Sequence, residues 1–367
     1  MIILYLSLII SIVMAVFLIC ILIRLSSIKS FPESFSSSSF KTAIWSGGDK
    51  DWQDLIGVVD FIFVATALPQ QLTPDISDNF GNAFNNITAT PDLYFKPSLI
   101  STQDILLSIG GSVANIDGWL KMTKTAIQDW VSYFTILKQK YGINGIDWDI
   151  EPDSLYGDSK DNDTIAEFIG TLSKELKQKD SAYKISVTIF GNKDKYVLNK
   201  SIHGMLEKYI DYIDIIPIML YNGGMWRDDT WGSWCKYATD FFAIVSKNVQ
   251  NKILYAVWTA SQQKNGADCC ASCVYEIIQN VQKGQGAGIA LWCYGGYLGA
   301  CSNFKEVNLS LLKTLKKSGI NTTFQELQDA FSEMTIYRQN PLYCLKNGCG
   351  LNSGCMSYTD CQNSCKQ

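Results

Sequence analysis

The sequence holds a single histidine, His203, among 367 residues. One imidazole excludes a multi-histidine metal site and argues against a Ser-His-Asp triad; His203 reads as a polar helix residue. Charge of one sign is also scarce, since 31 Lys+Arg against 35 Asp+Glu leave a net charge of −4. No basic run of the kind that holds phosphate backbones occurs, which argues against a nucleic-acid partner. A Gly-rich phosphate loop after the first strand-like segment is missing as well. The Gly47-Gly48 pair is too little to carry a dinucleotide-binding sheet. No cofactor and no metal are called for by the remaining residues.

What is present is apolar substance and cysteine. With 47% hydrophobic residues the chain can fill one large core or two smaller ones. Residues 1–23 form an almost continuous apolar run, Met1–Leu22, ended by Arg24, long enough to cross a bilayer. The absence of a charged start and of a small-residue cleavage site favours an uncleaved signal anchor over a cleaved signal peptide. Arg24 and Lys29 would pull the carboxyl side toward the cytoplasm. The cysteines argue the other way. Of twelve, Cys344, Cys349, Cys355, Cys361 and Cys365 crowd the last 24 residues, a density that reads as a disulfide scaffold in an oxidising compartment. Asn-x-Ser/Thr acceptors at Asn86, Asn162, Asn199, Asn308 and Asn321 are compatible with that side. The expectation is a membrane-anchored protein with its body outside the cytoplasm, or a secreted one if the first segment is cut.

Residues 24–40, with Ser36–Ser39 and Pro32, read as a flexible tether. From Lys41 short apolar runs alternate with amphipathic stretches. Strands are expected at Thr42–Trp45, Val58–Thr66, Ile105–Ile109, Gly145–Glu151, Ile185–Phe190, Tyr212–Tyr221, Ile253–Trp258 and Ala287–Trp292. Helices are expected at Thr125–Tyr141, Asp163–Lys179, Trp234–Lys247, Ser272–Lys283 and Phe304–Lys317. This alternation over about 275 residues predicts an α/β fold, a (β/α)₈ barrel spanning residues 41–317, with an open doubly wound sheet as the alternative. Residues 318–342 read as a helical spacer and 343–367 as a small cysteine-rich module.

One stretch carries chemistry. In Ile143–Pro152, Asp147, Asp149 and Glu151 occupy every second position, with Trp148 and Ile150 between them. On a strand the three carboxyls share one face and the apolar residues the other. A surface strand with a wet acidic face would read the same way. Inside a barrel, however, Trp148 and Ile150 meet helices while the acids point inward, with Glu151 at the rim where active sites collect. Crowded carboxyls cannot all ionise cheaply, so at least one is pushed up and can serve as a general acid.

With these residues in place, the chain resembles glycoside hydrolase family 18, the chitinase family. The family's Asp-Gly-x-Asp-x-Asp-x-Glu signature is matched by Asn144, Gly145, Asp147, Asp149 and Glu151. Its Ser-x-Gly-Gly motif is matched by Ser108, Gly110 and Gly111, its Met-x-Tyr-Asp/Asn motif by Met219, Tyr221 and Asn222, and its Leu-Trp by Leu291 and Trp292. The resemblance implies Glu151 as general acid, with the substrate's own N-acetyl carbonyl as nucleophile and net retention at the anomeric carbon. It further implies that Asp149 orients the acetamido group and shares a proton with its neighbours. Asp147 tunes the charge of the pair, Tyr221 holds the acetamido oxygen, and Trp292 stacks on the sugar. Asn144 replaces the first Asp of the signature, and Asn222 stands where many members carry Asp, as in the plant-type branch. The interval Thr259–Gly286 is too short for the added α+β domain of some members, which implies a shallow, endo-type groove.

Trp226, Trp231 and Trp234 follow the sixth strand and either stack on sugar or pack their own loop. Trp45 and Trp258 read equally as cleft wall or core. Cys270 and Cys273 have zinc-like spacing without a second pair, so disulfides are the better reading for Cys269, Cys270 and Cys273. The tail, Tyr343–Cys365, reads as a carbohydrate-binding module, a structural knot or a partner-binding tail. The expected activity is hydrolysis of β-1,4-linked N-acetylglucosamine polymers. The alternatives are an endo-β-N-acetylglucosaminidase acting on N-glycans and a non-catalytic chitinase-like lectin or attachment protein. In each case the partner is a glycan containing N-acetylglucosamine, with the membrane engaged through residues 1–23.

Overall fold

The structure is a computed structural model that describes residues 40–47, 54–74, 103–112, 114–151, 160–190, 196–220, 249–258, 271–296 and 305–332. All of these belong to one compact unit, Ser39–Gln367. The expected anchor, the tether before Phe40, the helix Trp234–Lys247 and the cysteine-rich module lie outside the described residues. Among the described residues no helix is long and apolar enough to cross a membrane.

Eight strands form a closed barrel in sequence order: β1 Lys41–Gly47, β2 Phe61–Ala67, β3 Asp104–Gly110, β4 Gly145–Asp149, β5 Lys184–Phe190, β6 Ile216–Met219, β7 Ile253–Trp258 and β8 Gly288–Gly296. Every neighbouring pair is parallel, including β8 with β1. The described helices are α1 Ile116–Thr123, α2 Ile127–Tyr141, α3 Lys160–Lys179, α4 Tyr196–Tyr209, α5 Ala271–Gln282, α6 Lys305–Ser318 and α7 Phe324–Ser332. The barrel expectation holds and the open sheet does not, because the first and last strands pair.

Period-two alternation separates two cores. Outward residues such as Ile44, Val64, Ile109, Trp148, Val187, Ile218 and Leu291 join the helices' Phe134, Leu172, Ile278 and Leu311 in one apolar cluster. Inward residues, among them Ala43, Trp45, Phe63, Leu106, Met219, Ala256 and Ala290, make a second cluster that fills the lumen. Burying each large side chain stabilises the fold by about 1.5–3 kcal/mol, which explains why apolar residues occupy the outward face of the strands and much of the inward one. Trp148 illustrates the outer layer. It is fully buried against Trp119 and Phe134, with ring centroids 6.2 and 6.4 Å away, and its Nε1 donates to Ser173 Oγ at 3.1 Å.

Three expectations need correction. The sixth strand was expected over Tyr212–Tyr221, yet Ile210–Tyr212 is a 3₁₀ turn and the strand covers only Ile216–Met219, with Ile215 adding a single bridge to Ser186. Asp214 accounts for part of this, since its carboxylate accepts from the Ile185 N–H at 2.7 Å and binds Lys177 at 2.8 Å, which anchors the approach to the strand. The helix expected as a spacer is α7, and it belongs to the barrel wall. Leu327, Ala330 and Phe331 are buried, and Phe324 packs edge-on against Tyr275 of α5 at 5.7 Å. A reciprocal cap starts α7: Thr323 Oγ1 accepts from the Glu326 N–H at 3.2 Å, and Glu326 Oε2 accepts from the Thr323 N–H at 2.8 Å. Third, Asn162 and Asn308 are only 3% and 0% exposed, so the folded chain offers neither for glycosylation.

Candidate active site

The carboxyl ends of β3, β4 and β5 lie side by side and supply the site. Their register places Ser108 beside Asp147 and Asp147 beside Ser186; one step higher it places Gly110 beside Asp149 and Asp149 beside Thr188. All six positions point into the barrel, because Ile109, Trp148 and Val187 between them face the helices.

Asp147 is fully buried and saturated with donors. Its Oδ1 accepts from Ser186 Oγ and Thr188 Oγ1, each at 2.7 Å. Its Oδ2 accepts from Ser108 Oγ at 2.8 Å and from Trp45 Nε1 at 3.1 Å. Burial pushes the Asp147 carboxyl up, and the four hydrogen bonds pull it back toward the ionised form.

Asp149 differs sharply. It is 1% exposed, and its Oδ1 has no hydrogen-bond partner among the described residues. Burial, with the charges of Glu151 and Asp147 added, holds its carboxyl well above the usual carboxylate range. Glu151 lies two residues beyond the end of β4 and is partly exposed. The trio therefore runs from a deep carboxyl surrounded by four donors, through a buried carboxyl with an unsatisfied oxygen, to an acid at the rim.

The floor beneath Asp149 is built by glycine. A Cβ on Gly110 would lie 1.8 Å from the Asp149 carbonyl oxygen, and the backbone there has φ +131°. Gly111 has φ +84°, its N–H donates to that same carbonyl at 3.0 Å, and a Cβ there would sit 3.1 Å from Thr66 Cγ2 and 3.7 Å from Asp149 Oδ2. Gly110 and Gly111 thus let β3 close against β4 and keep side-chain bulk away from Asp149 Oδ2.

Of the other expected sugar contacts, Trp292 is partly exposed near the carboxyl end of β8, 5.7 Å from the ring of Trp45. Met219 is 3% exposed in the lumen. Ser108, expected among the sugar contacts, is fully buried and donates to Asp147, so it serves the acid rather than the cleft surface. Tyr221, Asn222 and Trp226 lie outside the described residues. Asn144 sits at the opposite end of β4, where Oδ1 accepts from the Ile105 N–H and Nδ2 donates to Asp104, both at 2.8 Å.

Three groups were missed or left undecided in the sequence. Ser186 and Thr188 are polar positions alternating with Ile185, Val187 and Ile189, the same signal that marks the acids. Trp45 reads as core or wall; it is buried, packs on Phe63 at 4.7 Å and donates to Asp147. Among the described residues no cluster of three or more His, Cys, Asp or Glu is arranged to hold a metal ion.

A closed parallel eight-stranded barrel with a buried acid pair at the carboxyl end of its fourth strand places these acids at the end of the (β/α)₈ fold where catalytic groups collect. Residues 97–267 match the family model described as glycosyl hydrolases family 18. Its fold is similar to that of a GH18 chitinase from Pseudoalteromonas aurantia, at 15% identity and TM-score 0.55, covering 76% of this chain and 99% of that one. It is likewise similar to the C-terminal domain of Legionella pneumophila ChiA, at 16% identity and TM-score 0.52, covering 77% and 98% of the two chains. A Cycas revoluta GH18 chitinase solved with (GlcNAc)3 matches at 12% identity and TM-score 0.52, covering 78% of this chain and 99% of that one. At such identities the likeness establishes the fold. No curated protein matched the chain in sequence.

Proposed function

We propose that this protein hydrolyses β-1,4-linked N-acetylglucosamine polymers, chitin and its oligosaccharides, by a retaining, substrate-assisted mechanism. The observation that carries the reading is the unsatisfied, buried Asp149 carboxyl directly behind the rim acid Glu151. A carboxyl there can accept from the N–H of a bound sugar's acetamido group. That aims the sugar's carbonyl oxygen at its own anomeric carbon. Glu151 protonates the departing glycosidic oxygen and then, as carboxylate, takes a proton from the water that opens the oxazolinium-like intermediate. No enzymic nucleophile is needed, an exception to the two-carboxylate scheme. Trp292 offers its ring to the sugar ahead of the cleaved bond, Tyr221 holds the acetamido oxygen, Asn222 adds a substrate contact, and Trp226 adds a stacking face. Met219, Gly110 and Gly111 shape the space around them. With α5 occupying Ala271–Gln282, the interval between β7 and β8 leaves no room for an added α+β domain, which favours a shallow, endo-type groove.

The test offers chitin oligosaccharides and a high-mannose glycopeptide to the full chain beside Glu151→Gln. Turnover of the oligosaccharides, lowered about 10²–10⁴-fold in the variant, is expected. Anomer-resolved product analysis should show retention. Binding without turnover in the unmodified chain makes it a lectin, cleavage confined to the glycopeptide makes it an endo-β-N-acetylglucosaminidase, and dominant inversion excludes acetamido participation.

A further inference from the structure

We propose that Ser186 and Thr188 are positioning residues that make Asp147 the ionised member of the buried pair at neutral pH, so that the pair's one proton resides on Asp149. The argument begins with acceptor capacity. A carboxylate offers about four lone-pair sites, and the two oxygens of Asp147 already receive four donors. One of them, the Trp45 indole N–H, can only donate. A protonated Asp147 would have to turn one hydroxyl around to accept and would still face the indole hydrogen. Neither the Ser186 nor the Thr188 hydroxyl has another partner among the described residues, so both are dedicated to Asp147 Oδ1. Both are fully buried, so water cannot replace them.

Asp149 lies one inward position higher on the same strand and receives none of this help. Its Oδ1 is buried and without a partner, and no hydrogen bond joins the two carboxyls among the described residues. Its ionised form would be a desolvated charge beside another charge, so the pair's single proton settles there. The titratable group facing Asp147 from β4 itself is Asp149, and Glu151, two residues beyond the strand, bears on Asp149. From β1, β3 and β5 Asp147 meets Trp45, Ser108, Ser186 and Thr188, none of which titrates in the working range. The raised position of Asp149 relative to an ordinary carboxyl agrees in direction. For catalysis the consequence, which rests on the proposed function, is that Asp149 exchanges its proton with the substrate and Glu151 and not with Asp147.

Titration of the full chain labelled with ¹³Cγ-aspartate, followed by NMR and assigned with Asp147→Asn and Asp149→Asn, tests the charge placement without requiring turnover. Asp147 is expected to lose its proton at lower pH than Asp149. In the double variant Ser186→Ala/Thr188→Val the Asp147 midpoint should rise by about one pH unit or more, since hydrogen bonds to a charge are worth that much each. Thr188→Ser, which keeps the hydroxyl, should leave it in place. An Asp149 midpoint below that of Asp147 in the unmodified chain overturns the proposal, as does a folded double variant with an unchanged Asp147 midpoint. If the double variant does not fold, the order of the two midpoints in the unmodified chain decides alone. A chain that fails to cleave chitin oligosaccharides yet shows the expected order refutes the enzymic reading and leaves this one standing.

Discussion

The indole Nε1 of Trp45 donates to Asp147 Oδ2 at 3.1 Å, joining β1 to β4 across the interior of the barrel. The same ring lies 4.7 Å from Phe63 and 5.7 Å from Trp292, so one side chain touches the apolar lumen, the deepest acid and the aromatic near the mouth. Trp45→Phe keeps an aromatic ring in this packing and deletes the donor. Without it the folded-state pKa of Asp147, already raised by burial, moves further up. A group raised in the folded state favours folding below its unfolded pKa, and that stability is lost as pH rises through the folded pKa. The variant should therefore match the parent near pH 3 and fall about 1.5–3 kcal/mol behind at neutral pH. Urea denaturation at a series of pH values reads this directly; a deficit independent of pH would mean that packing and not the donor is lost.

Asp149→Asn should trade the chemistry proposed for Asp149 for stability. The parent carboxyl is held well above its ordinary range by burial and by Glu151 and Asp147. From about pH 4 upward the unfolded chain releases this proton while the folded chain keeps it, so the parent loses up to about 1.4 kcal/mol per pH unit until the folded pKa is reached. The amide cannot ionise and carries no such loss. The variant should be more stable than the parent at pH 7, similar to it near pH 3, and inactive on chitin oligosaccharides. A variant less stable than the parent at pH 7 would show that Asp149 is ionised and well solvated in the folded protein.

A methyl group at Gly110 meets backbone. Its Cβ would sit 1.8 Å from the Asp149 carbonyl oxygen at φ +131°, whereas a Cβ on Gly57, at φ +74°, meets nothing within 4 Å. Gly57→Ala should cost only the left-handed penalty, about 1–2 kcal/mol. Gly110→Ala forces β3 and β4 apart and should cost more than about 4 kcal/mol or abolish the near-ultraviolet circular dichroism of the native fold. Equal denaturation midpoints for the two variants would contradict the close approach.

How much of this was legible in the sequence follows from range. The acids of β4 announce themselves because alternation is local and charge is conspicuous. Ser186 and Thr188 obey the same alternation, yet small hydroxyls in an apolar strand carry no sign of which carboxylate they will meet. The Trp45–Asp147 bond spans 102 positions and has no sequence signature at all. Two helices also escaped notice. Eight-residue α1 depends on the Asn115 side chain capping the Gly118 N–H at 2.8 Å, and α4 carries Gly204 in its middle, which weakens its helical pattern. The reach of β6 was overestimated because Tyr212 and Ile213 look like strand residues although the strand begins at Ile216.

Asn144, the departure from the family signature, gives the last prediction. It staples three strands at the amino end of the barrel. Its side chain accepts from the Ile105 N–H and donates to Asp104, and its backbone carbonyl accepts from the Lys184 N–H at 2.9 Å. Asn144→Asp restores the family residue but turns the donor facing Asp104 into a second carboxylate. Lys184 stands 3.6 Å from Asp104 and neutralises only one of the two charges. The variant should lose about 1–2 kcal/mol at neutral pH and recover it below about pH 4, where one carboxyl is protonated. Five residues along β4 separate position 144 from Asp149, about 16 Å, well beyond the screening length of about 8 Å at physiological salt. Cleavage of chitin oligosaccharides should accordingly stay within about twofold of the parent. A larger change in kcat, with its pH profile displaced, would mean that the amino end of the strand does set the charge of the acids at its other end.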